Sequence, residues 1–309
     1  MKIQYINKRF NRSSLEVIDT ANGIIETYKE EGYDLTLRQL YYQFVAGDLF
    51  PDDRKWRLEG SRWVRDPDGT KNAEPNYKWL GDKINDGRLA GLVDWDSIVD
   101  RTRSFEKLSH WDSPQDFIES VAGQYGIDTR EDQADYIEVW VEKDALVSVV
   151  EHACVPEDVG FLSCRGYLSQ STMWAAGQRF RNKDRWQNTY IIHLGDLDPS
   201  GVNMTEDIQK RMRMFGSKVI VKRIALTTEQ VEQFNPPPSP AKEGDSRFAS
   251  YVEEFGDECW ELDALDPRTL NELITDAILI HTQPEKQRVL IREQREGRKT
   301  ILSLAENIE

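Results

Sequence analysis

The chain has 309 residues, 39% of them hydrophobic and 31% charged, with a net charge of −15 at pH 7. That length suits two domains and a sizeable core, and the composition excludes collagen-like and disordered classes. No apolar run approaches the roughly 18 residues that cross a bilayer, and the first residues lack a signal-peptide h-region, so no membrane association and a cytoplasmic location are expected. The cysteines Cys154, Cys164 and Cys259 form no CxxC pair, and the four histidines are scattered. Zinc spacing is therefore missing, and buried free thiols are expected. The acidity is uneven. Residues 1–110 carry 18 basic against 19 acidic side chains, and residues 111–309 carry 22 against 36. A basic groove for phosphate is compatible with the first half despite the overall charge.

In chain order, residues 14–30 read as an amphipathic helix with Leu15, Ile18, Ile24, Ile25 and Tyr28 as its apolar members and Gly32 ending it. Thr36-Leu37-Arg38-Gln39 opens a second helix with a capping-box pattern. Leu37, Leu40, Tyr41 and Phe44 form its buried stripe. Tyr42 lies about 100° further round, on a face shared with Arg38, and is expected to be accessible. Residues 51–75 read as loop. Between positions 54 and 65, Arg54, Lys55, Arg57, Arg62 and Arg65 face one acid, Glu59, and alternate with Trp56 and Trp63. Such a stretch suits a phosphate backbone or, equally, a solvated loop tethered by its tryptophans. A third helix over 76–90 bears Lys78, Lys83 and Arg88, and a β-like piece from Leu92 to Val99 ends in Arg101 and Arg103. Helix, helix, basic helix and hairpin is the order of a winged helix-turn-helix, so residues 1–110 are expected to form a DNA-binding unit.

A helix from Ser113-Pro114 to about Tyr125 and a polar stretch to Asp135 predict a linker over 111–133. From 134 to 309 strands and helices alternate: strands 136–141, 159–163, 189–195 and 218–224, and helices 143–153, 169–182 and 200–214. This predicts an α/β fold with a parallel sheet covered by helices. Pro236-Pro237-Pro238-Ser239-Pro240 reads as a stiff surface connection. A helical tail collecting Lys286, Arg288, Arg292, Arg295, Arg298 and Lys299 reads as a solvated or partner-facing helix, with DNA contact as the lesser reading.

Two strand ends carry acids. Val141-Glu142-Lys143-Asp144 follows the first strand of this half, and Gly195-Asp196-Leu197-Asp198-Pro199 follows the third. Ligand sites in α/β sheets lie at such ends. Read alone, Asp-x-Asp-Pro is a helix start with Asp198 as N-cap and Pro199 at the first helical position. Read with Glu142, it is a set of three convergent carboxylates suited to Mg²⁺.

Taken together, Val141-Glu142-Lys143-Asp144-Ala145, Asp196-Leu197-Asp198-Pro199-Ser200-Gly201, Leu226-Thr227-Thr228-Glu229-Gln230-Val231 and Trp260-Glu261-Leu262-Asp263-Ala264-Leu265 resemble the Toprim domain of the DNA topoisomerase VI A subunit. They are similar also to its relative, the meiotic double-strand-break transesterase. Arg38-Gln39-Leu40-Tyr41-Tyr42 resembles the Arg-x-x-Tyr-Tyr segment that carries this family's DNA-cleaving tyrosine on a winged helix. Two departures stand out. Gly166-Tyr167-Leu168-Ser169 replaces the family's Gly-x-Pro-Asp, and residues 51–74 have no counterpart. The chain also lacks a Walker loop, so ATP-driven strand passage would need a separate GHKL-type ATPase subunit.

The resemblance implies Mg²⁺-dependent cleavage of double-stranded DNA by transesterification. Tyr42 is then the nucleophile, Arg38 the group that stabilises charge, and Glu142, Asp196 and Asp198 the metal ligands. Arg54, Lys55, Arg57, Arg62, Lys78, Lys83 and Arg88 are expected to face DNA. A homodimer is implied, with the tyrosine of one copy meeting the acids of the other, so that the two halves of the site need not touch within one chain. One alternative keeps the acids and uses water as nucleophile, in a nuclease of defence or of a mobile element. Another is a DNA-binding adaptor without chemistry.

Overall fold

A computed structural model describes residues 1–33, 35–60, 62–98, 108–241 and 244–305. In chain order, α1 (Arg12–Glu30) and α2 (Leu37–Ala46) are followed by a hairpin, β1 (Trp56–Glu59) and β2 (Arg62–Arg65), and then by α3 (Glu74–Leu89). Asn11 caps α1 by accepting from Ser14 N, and Thr36 and Gln39 form the capping box of α2. Val17, Ile18, Ala21 and Ile25 of α1 pack with Leu40, Tyr41 and Phe44 of α2 and Leu80 and Ile84 of α3. Leu15 is exposed instead, because the inward face of α1 runs through Val17 and Ala21.

The hairpin corrects the loop expected over 51–75. Trp56 pairs with Arg65 and Glu59 with Arg62, and Trp56 also bridges Thr70. Its anchor is Asn76, which is fully buried. The amide accepts from Arg54 Nε at 3.0 Å and Trp56 Nε1 at 2.9 Å, and donates to the carbonyls of Arg54 and Lys71 at 2.8 and 2.7 Å. All four capacities of a buried amide are thus satisfied. The hairpin lies between the second and third helices, where a winged helix-turn-helix would have it after the third. Leu92–Ile98 forms turns and an isolated bridge from Ile98 to Leu35 rather than a strand; Val99, Arg101 and Arg103 lie outside the described residues.

Helix α4 (Pro114–Gln124) starts at the Ser113 cap and packs against the last helix, α11 (Pro284–Ala305). The stretch expected as a linker is therefore fixed to the rest of the fold. Arg130 holds it there by donating to His281 O at 3.0 Å and Thr282 Oγ1 at 3.1 Å. Then come β3 (Asp135–Val141), α5 (Val147–Cys154), β4 (Gly160–Ser163), α6 (Gln170–Lys183), β5 (Asn188–Leu194), α7 (Pro199–Met214) and β6 (Ile220–Ala225). The four strands form a parallel sheet in the order β4-β3-β5-β6, as the alternation predicts. Central strands β3 and β5 read as near-continuous apolar runs because both faces are covered. Helices α5 and α10 (Pro267–Ile280) cover one face, and α6 and α7 the other. Between β6 and α10 lie α8 (Thr228–Phe234), β7 (Ser239–Pro240), α9 (Phe248–Phe255) and β8 (Glu258–Cys259). The proline run thus supplies a two-residue strand paired with β8.

The helical unit and the sheet unit share side chains. Tyr28, Tyr33 and Leu35 enter the core under the sheet, and Ala264 enters the core of the three helices. Tyr28 donates to Asp266 Oδ2 at 2.6 Å, and Arg268 pairs with Glu31 at 2.7 Å. Cys154 and Cys164 are buried and free as expected, while Cys259 is half-buried. Among the described residues no helix is long and apolar enough to cross a membrane.

Candidate active site

Pairing between β3 and β5 runs to Val141 opposite Leu194 and continues one residue further, where Glu142 N donates to Leu194 O at 2.8 Å. Glu142 and Asp196 therefore emerge side by side at the carboxyl ends of the central strands. Glu142 Oε2 accepts from Asp196 N at 2.9 Å. Two glycines permit this closeness. A Cβ on Gly195 would stand 2.9 Å from Glu142 Oε2, and one on Gly201 only 2.3 Å from Asp196 O. Asp198 is the N-cap of α7, its Oδ1 accepting from Gly201 N at 2.6 Å, with Pro199 at the first helical position. The helix-cap reading and the acidic-cleft reading thus fall on the same residue. Glu142, Asp196 and Asp198 line one open cleft of about 430 Å³.

A second pair of acids closes the cleft from the Leu262–Ala264 turn, near the C-terminal side of β8. Lys143 Nζ lies 3.0 Å from Asp196 Oδ2, 2.9 Å from Glu261 Oε2 and 2.8 Å from Asp263 Oδ1. Asp196 Oδ1 accepts from Leu262 N at 2.7 Å. From the helical unit, Arg38 Nε donates to Glu261 Oε2 at 3.0 Å, with a closer second contact through Nη2, and stands 3.1 Å from Asp263 Oδ2. Arg38, expected to meet the acids of another copy, is on the wall of the same cleft within one chain.

Charge balance in this network is uneven. Burial pushes the Asp196 carboxyl up to about 7, against the pull of Lys143 and with Glu142 and Asp263 adding to the rise. Burial likewise holds Glu142 above the ordinary carboxylate range, countered by its bond from Asp196 N and reinforced by Asp198. Burial also acts on Glu261, but Lys143 and Arg38 outweigh it and bring that carboxyl down to about 2. Burial disfavours the charge of Lys143, yet Asp263, Asp196 and Glu261 more than compensate and hold it protonated.

Tyr42 is not accessible, contrary to its position off the stripe of α2: it is 3% exposed and packs with Ala264. The reason is tertiary. The Leu262–Ala264 turn lies against α2, so the face left polar by the stripe becomes an interface, burying Gln39 as well. Burial raises the phenol's pKa, and Asp263 and Glu261 raise it further against the opposing effect of Arg38. Arg38 lies 5.9 Å from the Tyr42 ring centroid. Tyr41 is structural as expected, its hydroxyl donating to Asn72 Oδ1 at 2.9 Å.

Most of the basic residues expected to face DNA have partners of their own. Arg54 stacks on Trp79 at 4.2 Å and bonds to Asn76; Arg88 donates to the carbonyls of Trp95 and Ile98. Arg57 pairs with Glu59 and Asp66, Lys78 with Glu74, and Lys83 lies over the Trp79 ring at 5.6 Å. Lys55 and Arg62 form no ion pair among the described residues.

Sequence reading missed Arg223, because nothing marks one basic residue on an edge strand as special. From β6 it donates to the carbonyls of Leu226, Gly201, Gly195 and Asp196 and to Thr205 Oγ1. Thr205 Oγ1 and His193 Nδ1 share a hydrogen bond at 2.9 Å, and His193 Nε2 is buried with no hydrogen-bond partner among the described residues. Burial, followed by the charge of Arg223, pulls His193 down to about 3, so the ring is neutral.

The donor chemistry of Glu142, Asp196 and Asp198 fits a hard dication: all are carboxylates, and two are held above their ordinary range by burial, as acids short of counter-charge. As they stand, no three His, Cys, Asp or Glu side chains are grouped to hold an ion among the described residues. Lys143 sits on Asp196 and Asp198 is turned to cap α7, so ion binding requires local side-chain rearrangement. Comparison of the chain with protein-family models, with characterised proteins and with solved structures finds no match.

Proposed function

We propose that this protein cleaves DNA by Mg²⁺-dependent tyrosine transesterification, as its resemblance to the topoisomerase VI A subunit implies. The observation that carries the reading is the meeting of Arg38, from the tyrosine-bearing helix, with the cleft of Glu142, Asp196 and Asp198. Two segments that the resemblance singles out independently thus adjoin one another. Glu142 and Asp196, with Asp198, would hold the ion, which supplies charge neutralisation at the phosphate and at the leaving oxygen.

In the resting form Tyr42 is a buried neutral phenol. Attack requires α2 to separate from the Leu262–Ala264 turn, freeing Arg38 from Glu261 at the same time. Tyr42 Oη then forms a bond to phosphorus as the P–O3′ bond breaks; the phenolic proton goes to water or a cleft carboxylate, and the 3′ oxygen takes a proton from water and leaves as a hydroxyl. Arg38, one helical turn before Tyr42, stabilises the phenolate and the charge on the phosphorane. Double-strand cleavage in this reading uses a second copy of the chain, and strand passage a separate GHKL-type ATPase subunit.

A hydrolytic nuclease is the second reading, and the burial of Tyr42 favours it. Incubation with supercoiled DNA and Mg²⁺ followed by a denaturing quench separates the two. Transesterification leaves protein covalently attached to DNA ends, lost in Tyr42→Phe and in Glu142→Ala. Cleavage by Tyr42→Phe at the wild-type rate, with Glu142→Ala inactive, would establish hydrolysis.

A further inference from the structure

We infer that Arg223 is a positioning residue for the acidic cleft and sets its affinity for a divalent cation by fixing the backbone that carries Asp196 and Asp198. The inference rests on the reading of the cleft as a cation site. Arg223 Nη2 donates to Gly195 O at 2.8 Å and also to Asp196 O; Nη1 donates to Gly201 O at 3.0 Å and Thr205 Oγ1 at 3.1 Å; Nε donates to Leu226 O at 3.2 Å. All five acceptors are uncharged oxygens. The guanidinium therefore spends its donors on backbone geometry rather than on neutralising an acid.

The acceptors are not scattered. Gly195 and Asp196 directly follow β5, Gly201 and Thr205 belong to the first two turns of α7, and Leu226 follows β6. One planar fork therefore ties the turn after β5, which carries Asp196, to the helix that Asp198 caps. Its Nη1 stands only 3.1 Å from where a Cβ of Gly195 would lie, so the fork fits closely under the turn. A lysine offers a point charge with three donors and no plane, so it keeps the charge without reproducing the fork.

Arg223 acts on a cation in two opposing ways. Its positive charge lies behind Glu142, Asp196 and Asp198 and repels a dication, so its removal strengthens binding if charge dominates. Its fork holds the acids in register, so its loss weakens binding if position dominates. Position dominates in this inference, in line with the 10–100-fold loss of affinity typical when groups that orient metal ligands are removed.

The experiment titrates Mn²⁺ into the full chain and reads free Mn²⁺ by electron paramagnetic resonance, with a metal-free melting curve for each variant. Wild type is expected to bind Mn²⁺ and Asp196→Asn to lose it. Arg223→Lys is expected to weaken binding by about 10-fold or more while retaining charge and a cooperative melt. Thr205→Val, which removes one of the five acceptors, changes affinity in the same direction by a smaller factor and serves if Arg223→Lys does not fold. Unchanged affinity in the folded variants overturns the inference, as does tighter binding in Arg223→Gln. Wild type that binds no Mn²⁺, or binds it equally well as Asp196→Asn, overturns the cation reading of the cleft instead.

Discussion

Arg38 and Glu261, 223 positions apart in the chain, form the ion pair that fastens the tyrosine-bearing helix to the acidic cleft. The pair is half-buried, with side chains 43% and 27% exposed, and Glu261 shares its Oε2 with Lys143. Its value lies between that of a surface pair and that of a buried one. Glu261→Gln is expected to cost about 1–2 kcal/mol. Urea denaturation measures the loss, and hydrogen exchange should show faster opening of α2 than of α1. An unchanged midpoint would mean that apolar packing of α2 and the remaining pair of Arg38 with Asp263 hold the helix without this bond.

Two of the three acids bonded to Lys143, Asp196 and Glu261, give stability opposite dependences on pH. The native Asp196 carboxyl, at about 7 against an ordinary 3.8, binds its proton more tightly than the unfolded chain does. Its contribution is fully present below about pH 4 and is lost as pH rises through 7. Glu261, at about 2 against 4.5, contributes above pH 4.5 and is lost as pH falls towards 2. Between pH 5 and 8 Asp196 is the member of this pair that titrates. Asp196→Asn should therefore lose less stability over that interval than wild type, by urea midpoints in metal-free buffer. Equal losses would show that Asp196 does not control the slope.

Gly201 and Gly23 make a matched pair. A Cβ at Gly201 meets Asp196 O at 2.3 Å, whereas one at Gly23, in α1, meets nothing within 4 Å. Gly201→Ala is expected to destabilise by about 1–3 kcal/mol through displaced backbone. Gly23→Ala is expected to stabilise by about 0.5–1 kcal/mol, because alanine loses less conformational freedom in a helix. Thermal melts of the two variants should move in opposite directions.

Among the basic residues of the hairpin region, Lys55 and Arg62 form no ion pair among the described residues. If DNA binds this face, Lys55→Ala and Arg62→Ala should each reduce the slope of log affinity against log salt by about 1, with little change in melting temperature. Arg54→Ala should instead lower the melting temperature, since Arg54 stacks on Trp79 and bonds to Asn76. An unchanged salt slope in the first two variants would move the DNA surface elsewhere.

Much of the sheet was legible in the sequence. Strands over 136–141 and 189–195 are buried on both faces and read as apolar runs, and Ser113, Thr36 and Asp198 announce their helices through side chains that bond to nearby amides. These signals are local. The hairpin left a fainter one: Trp56 and Leu58 alternate with Arg57 and Glu59, and Gly60 takes a positive φ of 61° at the turn. The stretch reads as loop because Pro51, Pro67, Gly69 and Pro75 interrupt it, while the buried anchor of the hairpin, Asn76, comes only after them in the chain.

By itself, then, the sequence determined which residues end the strands and start the helices, and so it located Glu142, Asp196 and Asp198 at the carboxyl edge of a parallel sheet. Periodicity and capping depend on neighbours a few residues apart, which the sequence displays directly. Tertiary structure alone decided that Tyr42 is buried, that Arg38 joins the acids of its own chain, that Lys143 is shared among three carboxylates, and that Arg223 lies beneath the turn. Each of these depends on Leu262–Ala264 or β6 arriving from far along the chain, and burial and charge pairing are properties of what arrives.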